Sequence, residues 1–348
     1  MSGDGRVPWV DYSKGICIIL VVMMHTSLNV TARVGDAGFM DHVVAFARPF
    51  RMPDFFLLSG LFLSRVIDRN WRSFSDTRVV HFAYFYVLWT LILFLFKLPI
   101  GLAKHDYELL TPFAWTWIEP YEALWFIYML PIFAVVCKLA IKVPPLLMLA
   151  FAAVLESLRI HTGWTLVDEF AARYFYFLVG WYGARYFFKW AQYMSANLGV
   201  AVGYLAVWAL VNAGMVFATA GLFPGLPADM PASQLPVVSL VLGLAGSLAV
   251  ITLGCIMSRF NLFDFIRYCG ENSIVVYLSF SIPMVAVRAV VLMVPGMTAG
   301  WATLIVTASA VAIPLVFHAL IKNTSLRFLY ERPARFRLTG PRTAPVPA

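Results

Sequence analysis

The chain has 348 residues, 61% of them hydrophobic and 13% charged, with a mean hydropathy of +0.80. That composition excludes a soluble or disordered chain, a nucleic-acid-binding module and a secreted disulfide scaffold, and leaves an integral membrane protein. The net charge of +8 is then read by its distribution across the bilayer, not as the mark of an anionic partner.

Apolar runs between polar punctuation predict an all-α bundle of about ten transmembrane helices, near 15–31, 52–67, 79–99, 121–140, 143–158, 171–190, 197–220, 237–258, 273–294 and 301–321. The runs are continuous, not alternating, which selects helices over a barrel. With the N-terminus inside, 18 lysines and arginines fall on the cytoplasmic side and eight on the other, giving +11 inside and −3 outside. Both termini are therefore expected in the cytoplasm. Residues 1–325 read as a single polytopic domain, and 326–348 as a basic, Pro-containing tail with a short juxtamembrane helix and a disordered end. The first apolar run carries His25 and Asn29 and no small-x-small cleavage site, so it reads as a retained helix and not a signal peptide. The four cysteines, Cys17, Cys137, Cys255 and Cys269, show no CxxC spacing and read as buried small hydrophobes, with no metal site.

Polar groups inside apolar helices are costly, so chemistry is sought there. In the first helix Lys14 and His25 are eleven residues apart, about 16 Å along one face at 1.5 Å per residue. Asp11 and Asn29 extend the stripe. The bland alternatives are that Lys14 snorkels to headgroups and Asp11 caps the helix. In the second helix Arg51 and Asp54 enter from the outer side and can pair with each other. Ser59-Gly60 reads as a packing notch, since no G-x-S-x-G surrounds the serine. Glu122 and Trp125 share a face at the outer end of the fourth helix. An acid beside an aromatic suits sugar recognition, but it equally suits an interfacial belt. Asp36 adds an acidic group to the outer loops. On the inner side Arg65, Arg69, Arg72 and Arg78, in the connector between the second and third helices, satisfy the positive-inside bias and also suit phosphate oxygens. Arg288 in the ninth helix needs a partner that spacing does not name.

Four segments, Asp11-Tyr12-Ser13-Lys14-Gly15-Ile16 leading to His25, Phe50 to Gly60, Leu124-Trp125-Phe126-Ile127 and Gly270-Glu271-Asn272-Ser273, resemble in order and spacing the membrane-bound acyltransferase family 3. They look closest to its fucose 4-O-acetylase-like branch. The resemblance implies an inner-membrane bacterial enzyme that transfers an acyl group, typically acetyl from cytosolic acetyl-CoA, to a hydroxyl of a carbohydrate at or beyond the outer face. It places His25 at the family's essential first-helix histidine and Lys14 where many members have arginine. Asp11, Ser59, Gly60 and Asn272 fall in its structural motifs. Two departures stand out: Arg51 and Asp54 replace the usual histidine and leucine, and Tyr277-Leu278-Ser279-Phe280 lacks the histidine that often follows Asn-Ser.

On that basis His25 is expected to act as general base, with Glu122 as its orienting carboxylate. Lys14, Arg65, Arg69 and Arg72 would hold the donor phosphates, and Arg51, Asp54, Trp125 and Asp36 the acceptor. The competing reading is a transporter or flippase in which Lys14, His25 and Glu122 line a solute path; a third is an inactive, sensor-like relative.

Overall fold

The computed structural model describes residues 6–103, 113–219 and 230–339. Helices dominate, with no named strand among the described residues. The long first helix α1 (Pro8–Val34) starts at a proline, whose missing N–H costs nothing at that position. It stops where Gly35 turns left-handed and donates back to Thr31. Two short helices, α2 (Phe39–Ala47) and α3 (Arg51–Gly60), return the chain into the bundle. A small helix α4 (Trp71–Ser75) and a π-turn over Asp76–Val80 lead into α5 (His81–Ala103).

A 3-10 turn at Glu122–Leu124 precedes α6 (Trp125–Leu139), and α7 (Pro145–Leu158), α8 (Thr165–Ala196) and α9 (Leu198–Phe217) follow. The chain continues through α10 (Val238–Phe260), α11 (Asp264–Glu271), α12 (Ser273–Ser279), α13 (Ser281–Val291) and α14 (Ala299–Ile321).

Among the described residues six helices are long and apolar enough to cross a membrane, and α12 with α13, bent by 59°, makes a seventh if taken as one span. The protein is thus a multi-pass, all-helical membrane protein. The expected count of ten is reached only if α3, α7 and α8 are also taken as crossings. The first two are short, at 10 and 14 residues, and the third is long but rich in tyrosine, tryptophan and charge.

The centre of the bundle is α1, packed on α3, α10, α11 and α14. Glycines let the backbones meet, as small residues do between membrane helices. A Cβ at Gly15 would lie 1.9 Å from the Ile266 carbonyl oxygen, and one at Gly270 would lie 1.7 Å from that of Asp11, so α1 and α11 touch main chain to main chain. Gly60 and Gly180 do the same for α3 and α8, against the carbonyls of Phe177 and Leu57. The packing notch expected at Ser59-Gly60 is present, with the Ser59 hydroxyl donating to its own helix at Phe55 O.

A 3-10 turn, Ser325–Leu329, stands where the short juxtamembrane helix was expected, and the expectation of a disordered end is corrected over residues 330–339. Tyr330 is buried and donates to Ser279 Oγ at 3.0 Å, while Tyr84 and Trp89 of α5 donate to the carbonyls of Phe328 and Leu329. Arg332 pairs with buried Asp76 at 3.0 Å, and the Leu338 N–H and Thr339 hydroxyl donate to the same carboxylate. A basic, Pro-containing stretch looks unstructured by composition alone; these aromatic and ionic anchors lie far away in sequence. Residues 340–348 lie outside the described residues.

Candidate active site

Lys14 is carried near the N-terminal end of α1 by the glycine seam with α11, and there it joins two cavities. The wider, about 440 Å³, is lined by Arg6, Asp11, Lys14, Arg65 and Glu271 among others. The narrower, about 190 Å³, continues from Lys14 between aromatic and aliphatic walls that include Phe55, Phe82, Phe126, Leu130 and Tyr277. Lys14, Phe62, Ser273 and Ile274 belong to both, so the polar chamber opens into the apolar shaft.

Phe62 is the hinge point of the cations. The Lys14 ammonium lies 5.8 Å and the Arg65 guanidinium 4.7 Å from its ring centroid, and Arg78 Nη2 donates to its carbonyl at 2.9 Å. Arg6 lies 3.6 Å from Glu271 at the chamber's rim. Asp11 is buried in the first turn of α1 and makes no capping bond, which sets aside its reading as a cap. Asn272 Nδ2 donates to Tyr268 O and fixes the junction of α11 and α12.

Of the expected phosphate ligands, Lys14 and Arg65 come together, whereas Arg69 and Arg72 line neither cavity. Arg72 Nε instead holds the tail at Leu338 O, 2.8 Å away, and Lys138 donates to the Arg69 carbonyl at 2.7 Å. Arg78 is one of the four connector arginines that suit phosphate oxygens, though it is not among the donor ligands expected, and Arg6 counts only toward topology.

Three turns above Lys14, the His25 ring packs on buried Phe280 with centroids 5.2 Å apart, so it faces the bundle and not the lipid. The shaft lies below it, reaching Tyr277, three residues before Phe280. Along α1 between the two ends, Cys17 donates its S–H to the carboxylate of Asp54, which is fully buried with Oδ1 left without a partner. Asn29 Nδ2 donates to the His25 carbonyl at 2.8 Å, and Arg288 Nη1 donates to Asn29 Oδ1 at 2.6 Å, which supplies the partner that Arg288 lacked.

Glu122 is not the carboxylate of His25. It sits at positive φ in its 3-10 turn and pairs with Lys97 of α5, and among the described residues no carboxylate hydrogen-bonds the imidazole. The charged group whose field reaches His25 is Arg51. Arg51 does not pair with Asp54. Its Nη1 reaches Val44 O at 3.5 Å, its Nε is buried and unpartnered, and its charged neighbours are Arg48 and Arg173. Trp125 packs on Phe56 at 5.9 Å between centroids, and Asp36 is exposed in the turn after α1. Asp54, fully buried on α3, and Asp36, exposed beyond the end of α1, thus do not share one acceptor surface.

A third cavity, about 450 Å³, opens where α7 ends and α8 begins, with Arg48, Glu156, Arg159, Arg173, Tyr176 and Ser239 in its wall. Among the described residues no cluster of histidine, cysteine and carboxylate side chains is arranged to hold a metal ion.

Comparison with known families gives one match: the model of acyltransferase family 3, described as an acyltransferase domain, matches residues 7–319. No curated protein and no solved structure matches the chain.

Proposed function

The chain belongs to acyltransferase family 3, and from that premise we propose that it transfers an acyl group, acetyl by preference, from cytosolic acyl-CoA to a hydroxyl of a carbohydrate at the outer face of a bacterial inner membrane. Motif resemblance favours the fucose 4-O-acetylase-like branch. The observation that carries the reading is the cationic chamber that opens, at Lys14, into an aromatic-walled shaft.

A coenzyme A thioester has that same division, with phosphates at one end and a slender arm at the other. Lys14 and Arg65 supply charge-assisted hydrogen bonds for the phosphates, with Arg78 at the neck. The arm follows the shaft toward His25, about 16 Å above Lys14 on the helix axis. His25 takes the proton of an acceptor hydroxyl, and the oxygen attacks the thioester carbonyl. The carbonyl oxygen carries negative charge in the tetrahedral intermediate, and Arg51, with an unpartnered Nε, is the cation placed to stabilise it. The C–S bond then breaks and the thiolate takes the proton back from the imidazolium.

Acyl transfer by purified protein in liposomes tests this, with acyl-CoA supplied on the side of Lys14. His25→Ala is expected to lower turnover by about 10²–10⁴-fold, the usual weight of a general base, with its gel-filtration profile unchanged. Arg65→Glu is expected to raise the KM for acyl-CoA about tenfold with kcat little changed. Full turnover in His25→Ala refutes the base, and solute accumulation without acyl-CoA consumption refutes the transferase.

A further inference from the structure

The third cavity has a wall built for a polar guest, and its size, about 450 Å³, lies in the ordinary range of small-molecule sites. Glu156, in the last turn of α7, is only 9% exposed. The hydroxyls of Tyr176 and Ser239 donate to its Oε1 at 3.2 and 2.9 Å, while Oε2 is buried without a partner. A buried carboxylate oxygen left unpaired costs on the order of 1–3 kcal/mol, which a hydroxyl donor in the cavity would relieve.

Three residues on, Arg159 ends α7 in the left-handed region at φ 47°, a conformation costly for a side chain that large. Its guanidinium lines the same cavity, and among the described residues it has no ion-pair or hydrogen-bond partner. Arg48, also in the wall, has among the described residues only a neutral partner: with its amide turned so that the oxygen faces the guanidinium, Gln234 accepts from the two terminal nitrogens at 2.6 and 3.2 Å.

The other charges of the wall are already committed. Arg173 pairs with Glu169 at 3.1 Å. The main-chain N–H of Thr162 leads a set of donors, with the Thr162 hydroxyl and the Gly163 N–H, that holds Asp168 below the usual carboxylate range. What is left over is two guanidiniums and one carboxylate oxygen.

We infer that this cavity binds an anionic sugar, a uronate or a sugar phosphate, with a ring hydroxyl on Glu156 Oε2 and the acid group between Arg48 and Arg159. If the transferase reading above holds, that sugar is the acceptor.

Binding of glucuronate, glucose 6-phosphate and glucose to the full-length protein in detergent, without acyl-CoA, is the test, read by saturation-transfer NMR and equilibrium titration. At least one of the anionic sugars is expected to bind tenfold or more tighter than glucose, and whichever binds tighter tells uronate from phosphate. Arg159→Gln is expected to cost that sugar at least tenfold and to leave glucose unchanged, and Arg159→Lys to restore part of the loss. Glu156→Gln is expected to weaken all three. Equal affinity for charged and neutral sugars, no binding of any, or indifference to Arg159→Gln overturns the inference. Because no thioester is present, binding as expected alongside failed acyl transfer would sink the transferase reading alone.

Discussion

Around His25 the charge is positive, not negative. Arg51 is the charged side chain whose field acts on the imidazole, and Arg288 holds Asn29, which in turn bonds the His25 carbonyl. Glu122 is occupied with Lys97 at a site where both side chains are about a third exposed. An exposed pair of that kind is worth about 0–1 kcal/mol. Glu122→Gln should therefore leave acyl transfer within about threefold of the parent, measured by acyl-CoA consumption, and a hundredfold loss would restore it as a partner of the base. Sequence spacing correctly put His25 and Lys14 on one stripe because both lie on one helix. It could not place Glu122, since the group that claims it stands 25 residues earlier on another helix. Arg159 was illegible for the same reason, and Arg78 could be read only as one of four connector arginines: which of them turns inward depends on which surfaces meet in space, and nothing in their own segments records that.

At the level of helices, close approach decides the geometry of the donor chamber. A methyl group at Gly270 would sit 1.7 Å from the Asp11 carbonyl oxygen, so α11 has to move away from α1 to admit it. Gly270→Ala is expected to lower the apparent unfolding temperature in detergent and to weaken acyl-CoA binding, because Glu271, Ser273 and Ile274 of the chamber wall move with α11. Gly199→Ala, in α9 with open space around it, is expected to be neutral or slightly stabilising, as alanine suits a helix better by about 1 kcal/mol. Helices such as α1, α10 and α14 were readable as long apolar runs. The break at Phe280 was passed over although Pro283 marks it: with no N–H for the Ser279 carbonyl, that proline bends what read as one continuous run into α12 and α13.

Over the whole molecule the C-terminal segment acts as a clasp. Arg332 and Asp76 are 8% and 5% exposed, and two further donors, from Leu338 and Thr339, complete the carboxylate. Removing one member of a buried pair leaves the other charge uncompensated, at a cost of about 3–5 kcal/mol. Arg332→Ala should lower the apparent unfolding temperature in detergent well beyond Arg337→Ala, whose side chain is exposed; equal effects would show that the clasp contributes little. The same clasp ties the segment after α14 to the start of α5, so an inward N-terminus requires the clasp to be cytoplasmic. Arg335→Cys should then react with a membrane-impermeant maleimide only in inverted vesicles, against a low background because all four native cysteines are buried. Composition could not foresee the clasp: its aromatic and ionic contacts join residues about 240 or more positions apart.

The main-chain seam between α1 and α11 also sets how the Lys14 chamber can breathe. Two backbones already in contact at Gly15 and Gly270 have no slack, so one jaw of the chamber is immobile. The opposite jaw, the arginine-bearing connector between α3 and α4, is turn rather than continuous helix; its Phe62 meets Lys14 through a cation–ring contact, and side chains hold it, Arg78 at the Phe62 carbonyl and Lys138 at the carbonyls of Ile67 and Arg69. A bulky guest is therefore expected to shift the connector before α1, leaving His25 at the same height on its helix.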